Sequence, residues 1–154
     1  MTISSGVYPV YENQFKVDVS ATSSPSWKTI ADMETFSVSI DNGVEEWTPF
    51  TTEGWTRRLM TAKSISISVS GKRNVGDDGN DYIAGLFMKN GTASQAGFQW
   101  TFPDGATLVL SDAVINISNM GAGDSTDVAP LEFEVLSNGK PTYTAAATTT
   151  TTGA

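Results

Sequence analysis

The densest run of polar residues in the sequence is 76–81, which reads Gly-Asp-Asp-Gly-Asn-Asp. Carboxylate and amide oxygens are the ligands that Ca²⁺ prefers, so the run has the residue types of a calcium loop. Its spacing differs from that of an EF-hand, because Gly79 stands where a ligand is needed and no Glu follows at the far end. We therefore interpret the run as a turn that leads into a helix, and we expect no metal site.

A second pair of acids, Asp124 and Asp127, lies in a stretch that follows Met120 and contains several glycines. Two carboxylates can catalyse glycoside hydrolysis, although acids among Gly and Ser more often form solvated turns. The sequence has neither histidine nor cysteine, so a conventional Ser-His-Asp triad and a disulfide are excluded. It also lacks a Gly-rich phosphate loop with its lysine. We therefore expect no catalytic residue and no cofactor.

The charge of the chain argues against several classes of partner. The formal net charge of the 154 residues is −8. An acidic surface repels the phosphate backbone and anionic membranes, which argues against conventional nucleic-acid binding. No apolar run approaches the length of a membrane span. Residues 1–5 lack the basic and apolar regions of a signal peptide, so we expect synthesis in a cytoplasm.

Four of the nine basic residues form two pairs near the ends of one predicted strand. The pairs are Arg57 with Arg58, and Lys72 with Arg73. In an acidic protein, acids on another copy of the chain are candidate partners for these cations. The candidate acids are Glu45, Glu46 and Asp77. The alternative is ordinary surface charge, and isolated surface ion pairs contribute little stability.

Alternation of apolar and polar residues with period two dominates the chain. The clearest example is 64–70, where serines alternate with Ile65, Ile67 and Val69. Such segments form strands with one buried face and one polar face, which is typical of antiparallel sheets. The other predicted strands are 15–19, 36–40, 98–102, 107–117 and 131–135. The pattern therefore predicts a mainly β protein.

One segment follows a helical period instead. Ile83, Leu86 and Phe87 recur at the spacing of one helix face, which predicts a helix at about residues 80–89. Asp78 or Asn80 is suited to cap its start. The Asn-Gly pair at residues 90–91 offers a stop signal.

Large aromatic residues concentrate between two long predicted strands, about 35–47 and 57–71. The connecting segment is 48–56, and its neighbourhood contains Trp47, Phe50 and Trp55. Two interpretations stay open. The aromatic side chains either project toward another molecule or fold back onto the core.

The last residues, 142–154, are almost entirely Thr and Ala after Pro141. A segment with no apolar pattern cannot bury enough surface to become ordered. We therefore expect one domain, 1–141, followed by a flexible tail at 142–154.

Three stretches carry a resemblance to a known family. Residues 54–63 read GWTRRLMTAK, residues 70–84 read SGKRNVGDDGNDYIA, and residues 131–141 read LEFEVLSNGKP. Together they resemble the major tail tube proteins of long-tailed bacteriophages, and the likeness covers about residues 11–141. The resemblance implies two packed antiparallel sheets, similar to a β-sandwich or barrel, with one flanking helix. It leaves open whether the tail contracts.

The resemblance also implies a function. A tail tube protein is a structural virion protein without catalytic activity, and it forms hexameric rings that stack into the conduit for DNA ejection. Expected partners are other copies, the tape measure protein and the tail terminator, while DNA passes through without specific binding. The expected location is the phage tail, after assembly in the host cytoplasm. The candidate subunit-interface residues are Trp47, Phe50, Trp55, Arg57, Arg58, Lys72, Arg73 and Asp77.

Two other classes of function stay open from the sequence. A carbohydrate-binding β-sandwich would use tryptophans as stacking platforms for sugar rings. The candidates are Trp27, Trp47, Trp55 and Trp100. A hydrolase would need two acids in one concave site with perturbed pKa values. A lectin would be discrete in solution, whereas a tube protein would assemble.

Overall fold

The computed structural model describes residues 2–20 and 22–147. Within them it contains eight strands and one α-helix. The strands are β1 (Gln14–Asp18), β2 (Trp27–Thr29), β3 (Met33–Trp47), β4 (Arg57–Lys72), β5 (Gln95–Thr101), β6 (Thr107–Met120), β7 (Pro130–Leu136) and β8 (Thr142–Thr144). The helix is α1 (Asp78–Ala84). The predicted mainly β fold with one helix is confirmed.

Backbone pairing joins all eight strands into one antiparallel sheet, which is not closed into a barrel. The strand order is β2-β1-β5-β6-β7-β4-β3, and β8 pairs with β6 beside this path. Residues 107–114 of β6 pair with β5, whereas residues 114–120 pair with β7. Because β6 changes partners near Val114, the sheet folds there into two layers. The resemblance implies two packed sheets, whereas the described residues form one continuous sheet whose two layers share β6.

The core lies between the two layers, and its aromatic contacts join strands that are distant in the strand order. Phe15 of β1 meets Phe36 of β3 at a ring-centroid distance of 4.8 Å. Phe98 of β5 meets Phe133 of β7 at 6.5 Å. Burial of each such side chain stabilises the fold by roughly 1.5–3 kcal/mol. The predicted alternation places these residues inside, because successive side chains in a strand point to opposite faces.

The helix begins and ends earlier than the predicted 80–89. The carboxylate of Asp77 accepts a hydrogen bond from the backbone N–H of Asn80 at 3.0 Å, so Asp77 is the cap rather than Asp78 or Asn80. The helix ends at Ala84 because Gly85, a poor helix former, is its C-cap. Residues 85–88 continue as turns. Position 79 admits only glycine, since an added Cβ would lie 2.4 Å from the carbonyl oxygen of Thr29.

Strands β3 and β4 form a hairpin that extends beyond the rest of the sheet. Their register shifts between Gly43 and Val44, which marks a bulge in the pairing. In the described part of the chain, β7 pairs with β4 only from Ser66 onward. Residues 41–47 and 57–64 therefore form a two-stranded ribbon. We call residues 48–56 the tip. The end of β3 and β4 that carries the tip is the upper end, and the opposite end of these strands is the lower end.

The C-terminal segment differs from the expectation of a tail that begins at residue 142. Thr142–Thr144 form β8, in which Tyr143 pairs with Leu108 of β6. The ring of Tyr143 lies 6.0 Å from that of Phe102. β7 ends at Leu136 and leaves this side of β6 free, so a short following segment can pair there. Residues 148–154 of the predicted tail lie outside the described residues.

Candidate subunit interface

The tip presents its aromatic side chains to solvent. Phe50 is fully exposed, Trp55 is 79% exposed and Trp47 is 42% exposed. Of the two interpretations that the sequence left open, folding back onto the core is therefore wrong. Isolated exposed apolar residues are ordinary on protein surfaces, but large aromatics grouped at one projecting end are typical of interaction sites.

Hydrogen bonds within the tip hold the backbone that carries these aromatic residues. The hydroxyl oxygen of Thr52 lies 2.7 Å from the carbonyl oxygen of Trp55 and 3.0 Å from the carbonyl oxygen of Pro49. Glu53 and Gly54 both adopt left-handed backbone conformations, with φ of 52° and 89°. A glycine at the second position makes this tight reversal accessible. The tip is thus a defined turn rather than an irregular loop.

The two arginines next to the tip make contacts within their own ribbon. The guanidinium of Arg57 lies 5.6 Å from the ring centroid of Trp47. Arg58 Nε lies 2.7 Å from Glu46 Oε1, and both side chains are largely exposed. Glu46, a candidate partner on another copy, is thus paired inside the same chain. Such exposed pairs contribute at most about 1 kcal/mol.

The remaining candidates lie at the lower end, on the order of 50 Å from the tip along the 16 residues of β4. Lys72 Nζ is 3.6 Å from Glu34 Oε2, and Arg73 pairs with Asp81 at 2.7 Å. The carboxylate of Asp77 accepts from the backbone N–H of Ala31 as well as capping α1. The structure therefore divides the eight candidates into two separate groups.

Asn80, which the sequence indicated only as a candidate helix cap, organises the lower group. Its side chain is fully buried and donates to the carbonyl oxygens of Ala31 and Lys72. Its amide oxygen accepts from Arg73 and from the backbone N–H of Asn74. The polar run at residues 76–81 therefore anchors α1 to the sheet. Within residues 2–20 and 22–147, no group of three or more His, Cys, Asp or Glu is placed to hold a metal ion.

The ion pair between Arg73 and Asp81 predicts a pH dependence of stability. The hydrogen bond from Arg73 lowers the pKa of Asp81 against the opposing effect of burial, and the N–H of Gly76 lowers the pKa further. Stability from a lowered carboxylate pKa is present above the unfolded value and is lost as the pH falls through the folded value. Asp81→Asn is therefore expected to lower the Tm at pH 7, and this deficit should shrink below about pH 3.9.

Thermal unfolding of both chains from pH 7 to pH 2.5 measures this difference. Asp124→Asn, on an exposed loop, is the matched control and should show no comparable dependence. A deficit of Asp81→Asn that stays constant down to pH 2.5 would show that the carboxylate charge is not what Arg73 stabilises.

A polar surface crosses four neighbouring strands on the side that points away from the core. Ser37 pairs with Ser68, and both Ser68 and Asn116 pair with Glu134. Cross-strand partners share one face of a sheet, so these side chains lie together. We call this surface, which forms a shallow groove, the polar face. Its polar lining residues are Thr35, Ser37, Ser68, Ser70, Asn116, Ser118, Glu132 and Glu134.

The polar face has hydroxyl groups and carboxylates but no cation. Thr35 and Ser70 place their hydroxyl oxygens 2.6 Å apart, and none of the residues that line the face is a lysine or an arginine. Sequence reasoning identified the serines of β4 but missed Glu132 and Glu134. The alternation of apolar and acidic residues at 131–135 indicates that the two glutamate side chains point away from the core. Their position beside the serines depends on strand pairing and has no local signal.

Two strand edges that border the polar face have no partner in the described part of the chain. The outer side of β3 is unpaired along its length, because β4 is its neighbour on the other side. Residues 115–120 of β6 are unpaired on the side toward β5. Exposed edges of this kind are ready to pair with another chain.

The tryptophans do not form the shared platform that a sugar-binding surface would need. Trp47 and Trp55 lie at the ribbon, and Arg57 covers the ring of Trp47. Trp100 stacks on Phe102 at 4.1 Å, and its indole N–H donates to Asn13 Oδ1 at 2.8 Å. The four rings named for the carbohydrate-binding alternative are therefore divided between the tip and the body of the sheet.

Comparison with known proteins connects this fold with tails and tubes. No protein-family model and no curated protein sequence matches the chain. A chain from the virion of a native gene transfer agent particle is 21% identical, with a TM-score of 0.68, over 90% of this chain and 100% of that one. A chain from the tail of an empty gene transfer agent particle, refined with C6 symmetry, is 22% identical, with a TM-score of 0.66, over 90% and 100%.

Injection systems contain the same fold. A chain from the sheath-tube complex of an extracellular contractile injection system is 16% identical, with a TM-score of 0.56, over 89% of this chain and 90% of that one. At these identities the likeness concerns the fold. The chain therefore has the fold of tail and tube components of phage-like particles, as its resemblance to tail tube proteins predicted. No helix among the described residues is long and apolar enough to cross a membrane.

Proposed function

We propose that this chain is a tail tube subunit, whose copies join into hexameric rings that stack into a conduit for DNA. The observation that carries the proposal is the unit β6-β7-β4-β3, which has a polar acidic face and an unpaired strand edge on each side. Such a unit is suited to repetition around a channel. The protein would be structural and would have no catalytic role.

Strand direction supports ring closure. In an antiparallel sheet, β3 and β6 run in opposite directions because two strands separate them. Rotation about the tube axis leaves the direction of each strand along that axis unchanged. The free edge of β3 in one copy therefore meets the free edge of β6 in the next copy in antiparallel orientation. Repetition of this head-to-tail contact closes a ring and removes the exposed edges.

The number of copies and the partners are inferred from the similar structures. The C6 symmetry of the similar gene transfer agent tail supports six copies in a ring. Another similar chain comes from a sheath/tube terminator of a contractile injection system. We infer that this protein likewise meets other tail components, such as a terminator and a tape measure protein. Its location would then be the virion tail, after assembly in the host cytoplasm.

The polar face would line the channel. Its carboxylates, Glu132 and Glu134, would repel the phosphate backbone, and its hydroxyl groups would hold water rather than bind bases. The opposite side of the same strands is the apolar core, which cannot face water. DNA would then pass along the wall without being retained.

Electron microscopy of the purified protein over a range of concentrations tests the proposal. We expect rings with a central channel and six-fold symmetry, and stacked tubes at the highest concentrations. Pairing of strand edges and burial of exposed aromatic side chains both require contact between two copies of the chain. Assembly should therefore increase with protein concentration. A protein that stays monomeric at every concentration and is absent from phage particles would contradict the proposed function.

A further inference from the structure

The chain contains three Asn-Gly pairs, at residues 42–43, 90–91 and 138–139. Asparagine is one of the chemically labile residues of proteins. In this dipeptide the backbone nitrogen of the glycine can attack the side-chain amide carbon of the asparagine, because glycine has no Cβ to obstruct the approach. In an unfolded chain the three pairs would react at similar rates. The fold places them in three different environments, and it therefore decides which pair reacts.

The first pair is held inside the ribbon. Asn42 of β3 pairs with Lys63 of β4, and Gly43 pairs with Ala62. Lys63 Nζ donates to Asn42 Oδ1 at 3.0 Å. A Cβ added at Gly43 would lie 2.9 Å from the Cβ of Ala62, so the two strands are in close contact here. Ring closure requires rotation about the Cα–C bond of the asparagine, and at this position that rotation would break the pairing of β3 with β4.

The second pair is held by a turn. Asn90 precedes the 3-10 turn Gly91–Ser94 and has an extended backbone, with φ of −134° and ψ of 161°. The hydroxyl of Ser94 donates to the carbonyl oxygen of Gly91 at 2.8 Å, and the backbone N–H of Gln95 donates to that of Thr92. At this ψ the nitrogen of Gly91 is rotated away from the Cβ of Asn90. Ring closure therefore requires the turn to shift.

The third pair lies in a free segment between β7 and β8. Asn138 is exposed, and the side-chain and loop hydrogen bonds found among residues 2–20 and 22–147 include neither Asn138 nor Gly139. The nearest anchors are Ser137, whose backbone N–H and hydroxyl both bond to Ile65, and Thr142, where β8 begins. Gly139 has a φ of 85°, and an added Cβ would meet no atom within 4 Å. Exposed segments with few contacts change conformation at low cost.

We propose that Asn138 is a site of spontaneous deamidation, whereas the fold protects Asn42 and Asn90. A base in the solvent removes the proton from the N–H of Gly139, and this nitrogen forms a bond to Cγ of Asn138. The side-chain nitrogen leaves as ammonia, which gives a five-membered succinimide ring. Water then opens the ring at either of its two carbonyl carbons and produces aspartate or isoaspartate. No atom is oxidised or reduced.

The product changes a defined part of the surface. Either product has a carboxylate in place of a neutral amide, so the net charge changes from −8 to −9. Isoaspartate also adds a methylene group to the backbone in the segment that leads to β8. Gly139 lines a shallow apolar groove together with Met60 and Tyr143, so the new charge forms at the border of this groove. The reaction occurs within one subunit and does not depend on the proposed function.

Peptide mapping by mass spectrometry tests the assignment. The folded protein is incubated in mildly alkaline buffer, and the replacement of each amide by a carboxyl group is followed over time. Asn138 should be largely converted while Asn42 and Asn90 are still intact. In urea the three pairs should react at similar rates. Asn42 should therefore react about tenfold or more slowly in the folded chain than in urea, because its reaction requires local opening of the ribbon.

Asn138→Gln is the matched control. Glutamine would have to close a larger ring, so the variant should lose the modification at this position, keep slow reaction at Asn42 and Asn90, and stay folded by circular dichroism. Equal conversion of the three pairs in the folded protein would overturn the assignment, as would faster conversion of Asn42 or Asn90 than of Asn138. Failure of the protein to form rings would contradict the proposed function and leave this inference unaffected.

Discussion

Replacement of Phe50 and Trp55 with serine is expected to abolish tube formation while the subunit stays folded. Both side chains are exposed and take no part in the core, so their loss should leave the melting temperature nearly unchanged. Central aromatic residues in interfaces contribute about 2 kcal/mol or more each. Because every copy in a ring would lose this contact, the combined loss should prevent stacking.

Two controls make this result interpretable. Tyr11→Ser removes an equally exposed aromatic residue from a 3-10 turn outside the ribbon and should leave tubes intact. Phe36→Ser removes an aromatic ring that packs on Phe15 and Trp100 in the core, so it should unfold the protein. Circular dichroism, thermal unfolding and electron microscopy distinguish these cases. Tubes of normal length from the folded Phe50→Ser/Trp55→Ser variant would refute an interface at the tip.

In the proposed tube, Glu132→Lys/Glu134→Lys is expected to make the channel wall retain DNA, which the unsubstituted wall would release. Each substitution changes the charge by +2, so the net charge of the chain would rise from −8 to −4. Both side chains lie on the polar face, where lysines would meet the phosphate backbone. Phosphate contacts release counterions, so the gained affinity should fall steeply with salt, by about tenfold or more between 50 and 200 mM.

Purified tubes and labelled duplex DNA are sufficient for this measurement. Variant tubes should retain DNA on sedimentation at low salt, and unsubstituted tubes should not. The matched control is Glu12→Lys/Asp112→Lys, which makes the same charge change at two residues outside the polar face. If this control retains DNA as strongly as the Glu132→Lys/Glu134→Lys variant, total charge explains the effect. The polar face would then not be the channel wall.

The amino-acid pattern alone was sufficient to predict six of the eight strands, including the two that form the ribbon, but not the short strands β2 and β8. Alternation with period two is a local signal, because side-chain direction reverses at every residue of a strand. It therefore located β3 and β4 to within two residues and separated Ile67 and Val69 from the serines between them. The sequence also shows that the tip is rich in aromatic residues. It does not show that their side chains are exposed, because a loop can pack on the core or project from it without a change in the local sequence pattern.

Other features were decided by tertiary structure alone. Asp77 became the helix cap, and Asn80 became buried, because α1 docks against Ala31 and Lys72, which are distant in sequence. Glu134 lies beside Ser68 because the register between β4 and β7 pairs these two residues. Register between distant strands depends on how both layers pack, so no short segment encodes it.

The division between the two sets of features has one physical reason. Strand and helix periodicity reflects the chemistry of neighbouring residues, and it is present before the chain folds. The polar face and the two free edges depend on which strands become neighbours. In β6, the residues up to Val114 pair with β5 and the residues from Val114 onward pair with β7. The sequence therefore determined what the strands are made of, and the tertiary structure decided which surfaces they form together.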